Sequence, residues 1–362
     1  MEYRSAEGWQ GQKIYTGYEI REKGLTMARQ KMLEPMICRL VLLALLLAGC
    51  GVLPDEPNDF PPRPTDAPVT PTGVGQKGKV EFIWATTKDI TPLKAPSSLT
   101  VDGEGNTYVV DTGTYSIQKL DWQGQPVAKW GSKGKDDGQF LFTFAGIALD
   151  QHGNTYVTDD VNARIQKFDS SGHFLLKWGK RGAGDGQFFT PYGVAVDRQD
   201  NVYVYDLNGY RVQKFDANGT FLAKWGKRGA GDGQFNNAID IAVDSHGMVY
   251  IADRGNTRIQ KFDPDGTFVA KWTACASPTD YFIDPSAVTT DAQDNVYVSD
   301  FTKNQICKFD KNGNFLNAWG SAGTGNGQFD GAFDMAVDGK NNVYVIDFGH
   351  NRIQMFQQPQ QN

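Results

Sequence analysis

Residues 191–235 read PYGVAVDRQDNVYVYDLNGYRVQKFDANGTFLAKWGKRGAGDGQF. Within them four short runs, GVAVD, NVYVYD, RVQKFD and TFLAKWG, alternate apolar and polar residues and are separated by Gly, Asn and Asp. Alternation with a period of two is the pattern of a strand, and the punctuation suits tight turns. The stretch therefore predicts a small antiparallel sheet of four strands.

The same unit is copied along the chain. The tyrosine of its second run recurs at Tyr108, Tyr156, Tyr203, Tyr250, Tyr297 and Tyr344, every 47 or 48 residues. The third run repeats in step from Ile117, Ile165, Val212, Ile259, Ile306 and Ile353, and a tryptophan closes the fourth at Trp130, Trp178, Trp225, Trp272 and Trp319. A lone four-stranded sheet cannot bury its faces and must stack on neighbours. Six copies predict an all-β chain, a six-bladed β-propeller of four-stranded blades. The sixth copy stops after its third strand at Phe356, while KVEFIW at Lys79–Trp84 precedes the first. Pairing that N-terminal strand with the last blade as its outer strand closes the ring and removes an open edge.

Units of the form GVAVD, NVYVYD, RVQKFD, TFLAKWG and GAGDGQF resemble NHL repeats, and the likeness extends over residues 79 to 356. The resemblance implies a six-bladed propeller and fixes no activity, because one fold hosts many.

Net charge is −6 for the whole chain, and residues 78–362 alone carry 27 Lys and Arg against 33 Asp and Glu. An acidic propeller gives no electrostatic footing for nucleic acid. It is expected to be a monomer.

Upstream of the propeller, Arg39 precedes the apolar run from Leu40 to Ala48, followed by Gly49 and Cys50. That run is too short to span a bilayer and suits a secretion signal. Leu47-Ala48-Gly49-Cys50 resembles the bacterial lipobox, in which the cysteine is lipidated. The chain accordingly divides into residues 1–35 (an upstream extension and basic flank), 36–49 (signal peptide), 50–77 (lipidated Cys50 and a Pro-rich tether), 78–357 (propeller) and 358–362 (tail). The expected location is the bacterial cell envelope, on the outer face of the cytoplasmic membrane or on the outer membrane, with the lipid as sole membrane contact. Cys275 and Cys307 break the repeat at places that lie toward one face of adjacent blades, and in an oxidising compartment they are candidates for a disulfide.

Chemistry is expected where the innermost strands begin, at one mouth of the central channel. Successive copies place Ser98, Gly146, Gly193, Asp240, Ala287 and Asp334 there, so two carboxylates replace small residues. Asp240 and Asp334 are candidates to bind a cation, Ca2+ among them, or the amine or hydroxyls of a ligand, with Phe144, Tyr192 and Phe333 stacking on it. The loops between second and third strands add Tyr115, Tyr210, Arg254, Phe301, Phe348 and His350 to the same rim. Varied loops on a repeated scaffold suit recognition of a protein, peptide or glycan partner.

The competing class is a channel-mouth enzyme, a lyase or hydrolase using a cation at the two aspartates. Among NHL-like propellers the peptidylglycine amidating lyases hold a metal with channel histidines. Here His152, His173 and His246 fall in turns away from that mouth and only His350 approaches it, so that activity is not expected. Repeated Asp and Arg residues at the end of the second and start of the third strands, such as Asp253 and Arg258, read as structural braces. Blades 1 and 5, with Ser116 and Gln305 at the arginine position, are expected to have weaker ones.

Overall fold

The computed structural model describes residues 80–359. Readings that fall on residues 1–79 and 360–362, including the signal, Cys50 and the Pro-rich tether, lie outside the described residues. Among those described, six four-stranded antiparallel sheets follow one another as blades. Five are continuous in sequence, and their innermost strands are Pro96–Val101, Ile147–Leu149, Pro191–Val196, Asp240–Val243 and Pro285–Thr290. Blade 6 takes Ala332–Val337, Asn342–Asp347 and Arg352–Gln357 from the C-terminal end and Glu81–Ala85 as its outer strand. The N-terminal clasp read from the sequence is thus present, displaced toward the C-terminus by one to two residues.

The displacement has a packing cause. In blades 1 to 5 the outer-strand tryptophan pairs with the first apolar residue of the third strand, as in Trp130 with Ile117. In blade 6 a bulge between Phe82 and Trp84 sets Trp84 opposite Met355, and Thr86 takes the position facing Ile353. Trp84 still reaches the tyrosine of its own blade, Tyr344, at 5.9 Å, and its indole N–H donates to the Trp122 carbonyl of blade 1 at 3.0 Å. The Trp84 ring also packs onto Gly124 of blade 1, the contact that Trp178 makes with Gly219 between blades 2 and 3.

The core lies between blades. Each of six apolar clusters draws on two neighbours, for example Tyr156 and Ile165 of blade 2 with Val202, Val204 and Phe215 of blade 3. The blade 6–1 cluster, with Leu99, Val109, Tyr344 and Ile353, is built alike. Burying one such side chain stabilises by about 1.5–3 kcal/mol, which explains why no blade stands alone. Trp178 packs onto Gly219 of the next blade so closely that a Cβ there would come within 2.7 Å of the indole, at a φ of +80°. Only glycine fits that turn.

The Asp–Arg braces reach further than the blade-internal role read from the sequence. Arg258 binds Asp253 at 2.8 Å and also donates to the carbonyls of Ala230, Gly231 and Gln234, which belong to the loop arriving from blade 3. Arg164 does the same for the loop from blade 1 through Lys135, Asp136 and Gln139. In blade 1, where Ser116 stands in place of arginine, Asp111 is held instead by Gln118 and the N–H groups of Lys94 and Ala95.

Candidate functional site at the channel mouth

Strand starts from all six blades converge on one small open cavity of about 20 Å3, lined by Ser97, Ser98, Tyr192, Asp240, Phe333 and Asp334 among others. Because each innermost strand begins at this mouth, one position per repeat faces the axis, and substitutions there meet across the ring.

Both aspartates first serve as ties to the following blade. One oxygen of Asp240 accepts the Val288 N–H of blade 5 at 2.8 Å, and one of Asp334 accepts the Leu99 N–H of blade 1 at 2.9 Å. Ser98 makes the equivalent tie to Ile147 at 3.2 Å. Burial, and then the nearby Asp334 charge, push the Asp240 carboxyl well above its ordinary range. Burial also raises Asp334, to about 6, against the opposing hydrogen bonds from Ser98, Leu99 and Met335. Two carboxyls with raised affinity for protons therefore share one small space.

Tyr192 is 6% exposed, and its hydroxyl has no hydrogen-bond partner among the described residues. Burial raises its pKa; Arg254 opposes this, while Asp334, Asp240 and Asp160 add to it. Phe144 meets the Tyr192 ring edge-on at 5.2 Å. Phe333 is covered from outside by Phe301 at 6.0 Å and Phe348 at 5.4 Å.

The rim departs from the sequence reading. Tyr115, Tyr210, Phe301 and Phe348 are half-buried packing residues, not exposed platforms. Tyr115 stacks on Phe142, and Tyr210 lies under Arg228. Arg254 is committed to Asp284 of blade 5, its Nη2 lying 2.7 Å from the carboxylate. His350 is held by Asp347 at 2.9 Å. These roles arise because second-to-third-strand loops fold back over the gaps between blades.

Beside the second-strand ends, the apolar side chains that stand out are Val161, Phe189 and Ile283, with Tyr281 next to the last. All but Val161 belong to loops between blades. Their signal was the irregularity of those loops: TACASPTDYFID in blade 4–5 departs from the KRGAGDGQF form of its neighbours. That irregular loop is pinned by a disulfide between Cys275 and Cys307, whose Cα atoms are 5.8 Å apart. Burial pushes Asp160, beside the mouth in blade 2, to about 6 against hydrogen bonds from Thr143 and Phe144.

As to metals, Asp240 and Asp334 offer two carboxylates, whereas a hard cation wants six or more oxygens. Among the described residues, Asp244, His246 and Asp294 bring ligand atoms within 4.8 Å of one another. They lie in first-to-second-strand turns on the opposite face. Their carboxylates already accept from Tyr250 at 2.9 Å and from the Ser245 N–H and hydroxyl at 2.9 and 3.1 Å.

Comparisons with known proteins agree with this architecture. The family described as 6-bladed beta-propeller matches residues 278–358, and the NHL repeat family matches residues 235–262. No curated protein matches the chain. Among solved structures, a streptogramin B lyase is similar at 15% identity and a TM-score of 0.53, covering 74% of this chain and 94% of its own. A Xanthomonas campestris gluconolactonase shows 15% identity and a TM-score of 0.53, with 74% and 87% covered. A Bacteroides thetaiotaomicron protein of unknown function reaches a TM-score of 0.57 at 15% identity, with 73% and 70% covered. Likeness at this level concerns the fold.

Proposed function

Since the chain is a six-bladed β-propeller carrying NHL repeats, we propose that it is a binding module of the cell envelope, lipid-anchored through Cys50, whose channel-mouth face recognises a protein, peptide or glycan partner. The observation that carries this reading is the make-up of that face. The channel mouth holds two buried carboxyls and a tyrosine hydroxyl, and the loops beside the second-strand ends at this end of the blades expose Val161, Phe189 and, with Tyr281 next to it, Ile283. Exposed apolar side chains beside a polar, partly desolvated centre suit a recognition surface. The rigid ring places them without further folding, which limits the entropy lost on binding.

The alternative reading is an enzyme at the same mouth. The lyase and the gluconolactonase share the fold, and a carboxyl with a pKa near 6, as at Asp334, suits a general acid. The serines of the cavity, Ser97, Ser98 and Ser286, are engaged by Ala145, Ile147 and Ala332 of neighbouring blades, with no histidine in the lining to activate them, so binding is the better-supported reading.

Arrays of peptides and glycans probed with the full chain test the proposal. Specific binding lost in Tyr281→Ser/Ile283→Ser, with the circular dichroism spectrum retained, is the expected result. Binding that ignores these substitutions, or bound compounds recovered chemically altered, would overturn it.

A further inference from the structure

We infer that the channel mouth seats a primary ammonium group carried by the partner, held between Asp240, Asp334 and the Tyr192 hydroxyl. The inference rests on the binding reading above and names the chemistry at its centre.

Charge supplies the first argument. The titratable groups facing the mouth are Asp160, Tyr192, Asp240, Asp334 and the Arg254–Asp284 pair. Four carboxyls stand against one guanidinium, and that guanidinium is spent on Asp284. An anionic ligand finds no free cation there. A neutral polyol needs donors as well as acceptors, and the strong donors of the site are already used.

Valence supplies the second. An ammonium offers three donors and no acceptor. Asp240 gives an oxygen to the Val288 N–H and Asp334 gives its two to the Leu99 and Met335 N–H groups, and both keep acceptor capacity, since a carboxylate oxygen takes more than one hydrogen bond. The hydroxyl of Tyr192, a residue more than nine-tenths buried, has no hydrogen-bond partner among the described residues and is the third acceptor. Three acceptors of which two are acidic match three N–H donors on a single positive centre.

Shape supplies the third. Phe333 lines the cavity, and Phe144 is packed against the Tyr192 ring. Aromatic faces attract a desolvated cation and accommodate the methylene stem behind it. A narrow mouth admits the end of a chain, such as a lysine side chain or a peptide N-terminus, and the apolar rim then contacts what carries it. The bound cation also removes the reason for the two aspartates to hold a proton, which neutralises the repulsion between them.

The test uses n-butylammonium chloride with the full chain in phosphate buffer at pH 7, followed by ligand-detected NMR, against the neutral N-butylacetamide. Saturable binding of the ammonium but not of the amide is expected. Asp240→Asn/Asp334→Asn, which keeps an oxygen for the Val288 and Leu99 N–H groups, should weaken it at least about tenfold, the equivalent of one charge-assisted hydrogen bond. Tyr192→Phe, which keeps the ring packing, should weaken it by a smaller factor. Absence of saturable binding, equal binding of the amide, or an undiminished affinity in the double variant overturns the inference, as does calcium chloride displacing the probe at stoichiometric amounts. Array ligands that still bind after their amines are acetylated leave the rim reading standing and sink the ammonium alone.

Discussion

Replacing Asp334 with asparagine should raise the protein's stability relative to the parent as pH climbs from 4 to 6. Burial lifts the folded-state pKa of Asp334 from 3.8 to about 6, so the folded chain binds this proton more tightly than the unfolded chain does. The associated stability is complete below the unfolded pKa and is lost as pH rises through the folded one. At ~1.4 kcal/mol per pH unit, the interval amounts to a loss on the order of 3 kcal/mol between pH 4 and pH 6, with no further change above. Asparagine carries no titrating proton and keeps a carbonyl oxygen for the Leu99 N–H, so the variant escapes the loss, at a pH-independent cost because its amide cannot also accept the Met335 N–H that the other Asp334 oxygen takes at 2.7 Å. The assay is urea unfolding followed by tryptophan fluorescence at pH 4, 5, 6 and 7, with variant and parent compared at each. Asp160, also pushed to about 6, is present in both and cancels in the difference. A stability difference that stays constant across this range, or that grows in favour of the parent, would refute the picture of a desolvated carboxyl. The same result would weaken the case for a charged ligand, because that ligand is what would offset the cost of keeping an acid there.

Arg258→Ala leaves the fully buried Asp253 without its ion pair and frees the blade 3–4 loop; a loss of about 3–5 kcal/mol is expected in urea unfolding. A loss under about 1 kcal/mol would mean that Asn256 and Gln260 suffice to hold that carboxylate. Cys275→Ala/Cys307→Ala opens a cross-link spanning 32 residues, for which loop entropy gives about 3–4 kcal/mol; an unfolding midpoint indifferent to both this change and reductant would contradict it. Cys50→Ala should shift the protein from the membrane pellet to the soluble fraction after cell lysis, and unchanged sedimentation would remove the lipid anchor from the proposal.

The blade count, the four-strand unit and the ring closure were legible in the chain because a repeat writes its strand period, turn residues and packing aromatics many times over. Local rules suffice for that: alternation sets the strands, Gly and Asn set the turns, and Tyr108 with Trp130, or Tyr203 with Trp225, mark equivalent contacts. The meeting of Asp240 and Asp334 could also be read, since a position one period apart must face the same axis. What the sequence left open was every contact between different blades. Whether Tyr115, Phe301 and Phe348 point to solvent or fold back over a seam depends on neighbours some 30 residues away, and the structure turns them inward. Arg254 reads from the sequence as a rim residue, and the structure pairs it with Asp284 of the next blade. The proton affinities of Asp240 and Asp334 likewise belong to no stretch of chain, because desolvation is a property of the closed ring: six strand starts must come together before water is excluded from either carboxyl.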